Sequence, residues 1–309
     1  KDSCYASHVL KYKYGMNPLT VTWPPLLYTD YGYKNFKNWL KFGKFENISA
    51  KRDEYTMKYL TKKSIENLFH PFHTFILGQK NFPIKMALKY KIPLVFFGEN
   101  EAEHGNPLAD NFTSLRNKSY HTYKTIEKIF LAGEKFNNLL KKLDKENLED
   151  FLPPDHTSLE KTPIEVHYLG YYIKWIPQET YYYSVNNCGF MPRPYRSTGT
   201  YSKYNSIDDK IDDFHFYTTF IKFGIGRATY DVSQEIRNEH LTVEEGKKLI
   251  KKYDGEFPNV YFSEIMEYLG ISKNRFYKLQ DKYRSPHLWK KKGKKWFLRH
   301  TVNKDGCDD

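Results

Sequence analysis

A chain of 309 residues can bury a large core as one big domain or two, and 39% hydrophobic with 17% aromatic residues excludes a disordered or fibrous protein. No apolar run approaches the roughly 20 residues a membrane-spanning helix needs, and the three cysteines, Cys4, Cys188 and Cys307, form neither a CxxC pair nor a metal-ligand spacing, which fits a reducing cytoplasm. The net charge of +12 admits a polyanion partner, but Tyr, Phe, Asn and Lys are abundant together, so compositional drift is the simpler reading and a nucleic-acid partner is not expected.

Lys1-Asp2-Ser3 runs into an amphipathic stretch with Val9 and Leu10 apolar, which is a helix start, and Gly15 closes it. Residues 19–23 read as a buried strand, ended by Trp23-Pro24-Pro25. A helix N-terminus at the head of an α/β unit can hold an anion, because its free N–H groups and dipole face the ligand. Asp2-Ser3 is therefore either an ordinary cap or the back half of a phosphate loop.

Helices are expected over 33–43, 52–69 and again before residue 92, with a short strand near 46–48. The continuous apolar run 92–97 predicts a strand covered on both faces. Strands alternating with helices imply a parallel, doubly wound α/β sheet, whose ligands sit beyond the strand C-termini. That places Thr22, Trp23, Gly98, Glu99 and Asn100 on one edge with the helix opening at Asp2. Residues 134–154 read as a charged helix and a linker, and 165–170 as another strand. The second half is mostly helical, over 206–222, 230–237, 243–253 and 261–269. Domains 1–190 and 191–309 follow. The lysine run 290–295 reads as a solvated tail or, more sharply, as a polyanion contact.

Several stretches could carry chemistry. The loop after 97 holds Glu99, Glu103 and His104, and a carboxylate there, Glu99 first, could bind Mg²⁺ alongside phosphate oxygens. Lys222-Phe223-Gly224-Ile225-Gly226-Arg227 combines two glycines that let backbone approach a ligand with an arginine fork for phosphate or carboxylate. Ser206 with Asp209 reads as an acidic capping box. No nucleophile elbow is present; Cys4 and Cys188 read as packing residues, and His70 and His73 as structural. Residues 262–283 look like a helix-turn-helix or, more simply, a helical hairpin packed on the core.

Lys1-Asp2-Ser3 resembles the end of the Ser-Gly-Gly-x-Asp-Ser loop of the PP-loop ATP-pyrophosphatases, the adenine nucleotide alpha hydrolase-like group. Pro93-Leu94-Val95 leading to Gly98-Glu99-Asn100, Gly199-Thr200-Tyr201-Ser202 with Ser206-Ile207-Asp208-Asp209-Lys210, and 222–237 resemble the N-acetyl sugar amidotransferases of lipopolysaccharide O-antigen and flagellin-glycan biosynthesis. The resemblance runs from residue 1 to about residue 290. It implies that ATP with Mg²⁺ adenylates the carbonyl oxygen of a sugar N-acetyl group, releasing pyrophosphate. Ammonia from a separate glutaminase subunit, with or without a cyclase-like subunit, then displaces AMP and leaves an acetamidino group.

On this resemblance Lys1, Asp2 and Ser3 hold pyrophosphate, Asp2 and Glu99 share Mg²⁺, and Lys203, Lys210, Lys222 and Arg227 stabilise phosphate charge. Thr22, Gly98, Asn100, Gly224 and Gly226 then line the nucleotide, and Trp23 either stacks on adenine or belongs to the core. The family's Ser-Gly-Gly and its cysteine-rich, zinc-type segment would lie upstream of residue 1. Zinc is thus expected only there, and the sequence as given is expected to be N-terminally truncated and to bind ATP poorly. A PP-loop tRNA-modifying enzyme is the main alternative, and a helix-turn-helix nucleic-acid-binding protein the lesser one.

Overall fold

The first helix, α1 (Asp2–Tyr12), uses its two apolar edges differently. Ala6 and Leu10 pack on Leu169 and Phe96, while Cys4 joins Trp39, Tyr181 and Cys188. Gly15 ends the unit with φ +67°, the left-handed conformation glycine adopts without a Cβ clash. The computed structural model describes residues 1–98, 113, 115, 122–123 and 129–302. Glu99, Asn100, Glu103 and His104 lie outside the described residues.

Strand β1 (Thr20–Thr22) pairs in parallel with β2 (Asn47–Ser49), Val21 opposite Ile48, and α2 (Asp30–Gly43) connects them. Helices α3 (Glu54–Leu68) and α4 (His73–Tyr90) lead to β3 (Leu94–Phe97), which pairs in parallel with β6 (Glu165–Tyr168), Val95 opposite Val166. The expected alternation of strand and helix is present. Among the described residues, however, the parallel strands form two separate pairs and not one continuous sheet.

The helix expected over 134–154 is absent. In its place β4 (Phe130–Leu131) and β5 (Glu134–Lys135) turn through Ala132 and Gly133, both at positive φ, before the short helices α5 (Phe136–Leu139), α6 (Lys145–Glu149) and α7 (His156–Glu160). The reason is packing. Leu131, Phe136, Leu139, Leu148 and Phe151 all enter one core around Met57 and Leu60, and no single helical stripe reaches all five.

Helix α8 (Pro177–Cys188) lies on α1. The C-terminal region comprises α9 (Asp212–Phe223), α10 (Arg227–Arg237), α11 (Val243–Tyr253), α12 (Phe262–Leu269) and α13 (Lys273–Lys282). It ends in an antiparallel hairpin of β7 (Trp289–Lys292) and β8 (Lys295–Leu298). The lysine run is thus not a tail: Trp289 is buried and its Nε1 donates to the Ile221 carbonyl at 2.7 Å. Ile65 and Phe69 of α3 share a cluster with Phe214, Ile265, Leu269, Phe276 and Leu279, so residues on both sides of 190 build one core. The inner side of the α12–α13 pair belongs to that core. No helix among the described residues is long and apolar enough to cross a membrane.

The helix expected from Ser206 starts six residues later. Ser206 has φ +54° and its hydroxyl, buried, finds no partner, so it caps nothing. Asp209 instead accepts the N–H groups of Leu26, Leu27 and Ile211, at 2.5, 3.2 and 3.0 Å. With Thr29 N–H on the Asp208 carbonyl at 3.0 Å and Lys210 N–H on that of Leu27 at 2.9 Å, the loop after β1 is pinned to 207–211.

Gly32 makes this docking possible, since a Cβ there would stand 2.4 Å from the Asp208 carbonyl oxygen and 2.7 Å from its Cα. Backbone cannot swing aside as a side chain can. Gly32→Ala is expected to cost at least about 1–3 kcal/mol, the usual range for overpacking, and to shift Asp208. Thermal unfolding of the variant checks this; an unchanged midpoint would mean the two segments are not held together.

Candidate functional site

The elements meet where α1 begins. Lys1 is the N-cap of α1, and no side-chain cap hydrogen bond is formed there among the described residues. Lys1 Nζ, on a side chain only 6% exposed, pairs with Asp2 Oδ1 at 2.6 Å and lies 5.7 Å from the centre of the Tyr204 ring. Ser184 Oγ donates to the Lys1 carbonyl at 3.1 Å and fixes the helix start to α8. The end of β3 abuts the same place, since a Cβ on Gly98 would lie 3.7 Å from the Asp2 carbonyl oxygen. Burial works to raise the Asp2 pKa, but the positive charges beside it, Lys1 foremost and Arg227 among them, hold it below the usual carboxylate range. Asp2 is thus an anion already paired with a lysine. Ser3 is exposed.

Two further carboxylates stand near Arg227 and α1. Asp208, four residues before α9, acts electrostatically on Cys4 of α1. Asp212, the first residue of α9, donates its N–H to the Asp209 carbonyl at 3.2 Å and feels the charge of Arg227. Burial pushes the Asp212 pKa up to about 8; Arg227 opposes the shift, and the neighbours Asp208, Asp213 and Asp209 add to it. Asp212 thus holds its proton more tightly than an ordinary carboxyl group does.

Arg227 links the two sides. It opens α10, its guanidinium lies 4.5 Å from the centre of the Phe216 ring, and its charge reaches both Asp2 and Asp212. One face of α10 carries Arg227, Asp231 and Glu235 four residues apart, which helical geometry stacks in a row. Arg227 Nε meets Asp231 Oδ1 at 3.0 Å. Asp231, 6% exposed, also accepts Thr200 Oγ1 at 2.6 Å and Asn205 Nδ2 at 3.1 Å. Glu235, 3% exposed, accepts Gln178 Nε2 at 3.2 Å and pairs with His240 at 2.8 Å. This buried row holds Arg227 and the 200–205 loop in place. The Tyr201 hydroxyl beside it is buried and has no hydrogen-bond partner among the described residues.

The glycine pair has another use than the one expected. Gly224 closes α9 at φ +74°, donating to the Phe220 carbonyl at 2.8 Å. Gly226 is the N-cap of α10, where the Asp254 carboxylate accepts its N–H at 3.0 Å and that of Thr229 at 3.2 Å. A carboxylate thus occupies the anion position of that helix, and the two glycines serve the turn. A Cβ on Gly226 would come 2.8 Å from Asp254 Oδ1.

The lysines scatter. Lys203 is exposed, Lys210 pairs with Glu264 at 2.5 Å, and Lys222 donates to the Leu68 carbonyl at 2.9 Å at the far end of α9. Thr22 Oγ1 accepts from Asn47 across the β1–β2 pair at 2.9 Å. Trp23 is in the core, 7% exposed and edge-on to Phe151, and Gly78 is the space its ring fills, since a Cβ there would lie 2.1 Å from Trp23 Cε2. Of the expected site residues, the structure gathers Lys1, Asp2, Gly98 and Arg227.

Asp208 and Asp212 join them, and sequence reasoning passed over both. Asp208 was absorbed into a supposed cap, and Asp212 sat inside a helix expected to start earlier. The signal was there, as four aspartates at 208, 209, 212 and 213 exceed what one helix cap needs.

His70 and His73 flank Pro71 at the α3–α4 junction, and the His70 ring stacks on His215 of α9 at 5.1 Å. Burial, with His73 and Lys222 nearby, pushes the His70 pKa down to about 4. The folded state thus refuses a proton that the unfolded chain takes up near pH 6.5. This stability is complete above about pH 6.5 and is lost as pH falls toward 4, by about 2–3 kcal/mol. His70→Gln is expected to flatten the fall in thermal midpoint between pH 6.5 and 4; equal slopes for both proteins would contradict a buried neutral His70.

As a metal centre the site is partial. No group of three or more His, Cys, Asp or Glu among the described residues is arranged to hold an ion. Mg²⁺ commonly takes only one or two carboxylates and completes its shell with phosphate and water. Asp208 and Asp212 fit that requirement, whereas Asp2 is occupied by Lys1. A shallow concavity of about 440 Å³ lies elsewhere, between α13 and β8, and none of these residues lines it.

No curated protein matches the chain. Residues 198–302, which include Asp208, Asp212, Arg227 and the Asp231–Glu235 row, match the family model described as LPS biosynthesis protein WbpG-like, C-terminal domain. By that match the C-terminal third of the chain is similar to a domain of lipopolysaccharide biosynthesis proteins, which points to an enzyme of that process.

Proposed function

We propose that the chain is the ATP-using part of an N-acetyl sugar amidotransferase acting in lipopolysaccharide or related glycan biosynthesis. The observation that carries this reading is a coincidence of place. Arg227, inside the stretch similar to lipopolysaccharide biosynthesis proteins, acts electrostatically both on Asp212 and on Asp2, at the start of α1 where the end of β3 also arrives. Strand ends and helix starts are where α/β folds bind nucleotides. On this reading the parallel pairs β1–β2 and β3–β6, with the helices around them, belong to a doubly wound, adenine nucleotide alpha hydrolase-like fold.

The chain's own residues divide the work. The first-turn N–H groups of α1 receive the pyrophosphate portion of ATP, a favourable term of about 0.3–2 kcal/mol depending on burial. Arg227, held by Asp231, offsets phosphate charge as the bond to the α-phosphate breaks. Asp208 and Asp212 would hold Mg²⁺ through their carboxylates. Bound there, Mg²⁺ supplies Lewis-acid polarisation of phosphoryl oxygens.

The acetamido oxygen of the sugar attacks the α-phosphorus, pyrophosphate leaves, and ammonia then replaces AMP at the amide carbon to leave an amidine. The ammonia comes from a separate glutaminase subunit, and the reaction runs in the cytoplasm. The test is nucleotide turnover in the complete natural protein that carries this sequence. AMP formation with free amino acids as acceptors, and none with acetamido sugars, would end the sugar reading.

A further inference from the structure

Between residues 273 and 299 lie eleven Lys and Arg and a single Asp, so this stretch carries ten of the twelve net positive charges of the whole chain. The basicity is therefore local, and general compositional drift does not account for it.

The fold turns that charge outward. Helices α12 and α13 are joined by Gly270-Ile271-Ser272, with Gly270 at φ +60° and Ser272 Oγ capping α13 through the Arg275 N–H at 3.2 Å. Helix α12 buries Phe262, Ile265, Met266 and Leu269. Helix α13 buries only Phe276 and Leu279, and Lys273, Asn274, Arg275, Lys278 and Lys282 are exposed. The chain then enters the β7–β8 hairpin. Trp289 anchors its base, and the Arg284 guanidinium lies 5.0 Å from the Trp289 ring and 5.3 Å from Trp296, tying the hairpin to α13. At the tip Lys291, Lys292, Lys294 and Lys295 are all exposed, and none forms an ion pair among the described residues. The open concavity of about 440 Å³ separates helix from hairpin, with Tyr277, Arg284, Lys294 and Phe297 among its walls.

We propose that α12, α13 and the β7–β8 hairpin form a winged helix-turn-helix unit that binds double-stranded nucleic acid. Helix α13 enters a groove and the hairpin lysines follow the phosphate backbone. The ten-residue helix α13 is about 15 Å long and, like any α-helix, about 10–12 Å across with its side chains, which a major groove about 12 Å wide admits. An anionic membrane fits less well, because a helix lying on a bilayer needs its apolar face outward. The apolar residues Phe276 and Leu279 of α13 point into the core.

The test uses the whole chain and fluorescence anisotropy with 30-base-pair DNA and RNA duplexes at salt concentrations from 50 to 200 mM. Binding to at least one duplex is expected, the two arms showing which. The variant Lys291→Gln/Lys292→Gln/Lys294→Gln/Lys295→Gln is expected to bind at least tenfold more weakly. The slope of log K against log salt should shrink by up to about 3.6 for DNA, since each of the four phosphate contacts contributes about 0.9. Lys273→Gln/Lys278→Gln on α13 should weaken binding as well and covers the case of a misfolded hairpin. A charge-matched control, Lys13→Gln/Lys34→Gln/Lys37→Gln/Lys41→Gln, removes exposed lysines elsewhere and should leave the slope unchanged. The proposal is overturned by absence of duplex binding at 50 mM salt, or by equal losses in hairpin variant and control. Equal or tighter binding to phosphatidylserine vesicles than to duplex would overturn it too.

Discussion

Asp231→Ala is expected to destabilise the protein by about 3–5 kcal/mol, the cost of stripping one partner from a buried ion pair. Asp231 is 6% exposed, accepts from Thr200 and Asn205, and forms an ion pair with Arg227. Its removal takes from Arg227 the carboxylate it pairs with and leaves two buried donors without acceptors. Thermal unfolding should show a midpoint lowered by roughly 5–12 °C. Asp231→Asn keeps an acceptor for Thr200 and should cost about half as much. In the double variant Arg227→Ala/Asp231→Ala the losses should fall well short of additive, because the second change removes the group that the first left stranded. Additive losses would mean that the row on α10 is a set of independent contacts and not a support for Arg227.

The second large effect concerns Arg227 itself. If it offsets phosphate charge during ATP cleavage, Arg227→Gln should lower kcat/KM for ATP by about 10²–10³, the size seen when one charge-stabilising donor is lost. Arg227→Lys keeps the charge but loses the fork, and should recover part of that loss. Stability separates the two roles of this residue. A glutamine at 227 can still donate to Asp231, so the fall in turnover should far exceed what any loss of folded protein explains. Turnover that tracks the folded fraction alone would reduce Arg227 to a structural residue.

The residues themselves explain how much could be read ahead of the structure. The start of α1, its stop at Gly15, and the strands at 20–22, 47–49, 94–97 and 165–168 were legible, because caps and apolar runs act locally. The segment 130–160 was not, because its apolar residues answer to Trp23, Met57 and Leu60, far away in sequence. Trp23 beside a strand end could be rim or core, and only the space left by Gly78 decides it.

Around the start of α1, Arg227 and Asp2 were legible in sequence as charges near helix ends. Gly224 and Gly226 misled, since a glycine that admits a phosphate looks the same in sequence as one that admits the Asp254 carboxylate. Asp212 was hidden by an error of six residues in the start of α9. Its raised pKa comes from burial beside Asp208, Asp209 and Asp213, a grouping fixed by the pinning of 207–211 to the loop after β1.

The central claim is tested most directly by measuring AMP and pyrophosphate release from ATP by the complete natural protein, with acetamido sugar and ammonia supplied singly and together. The account predicts stoichiometric AMP, pyrophosphate and amidine product only when both are present with Mg²⁺, and loss of all three in Asp212→Asn. AMP release that proceeds without the sugar, or amidine formation that Asp212→Asn and Arg227→Gln leave intact, would contradict it.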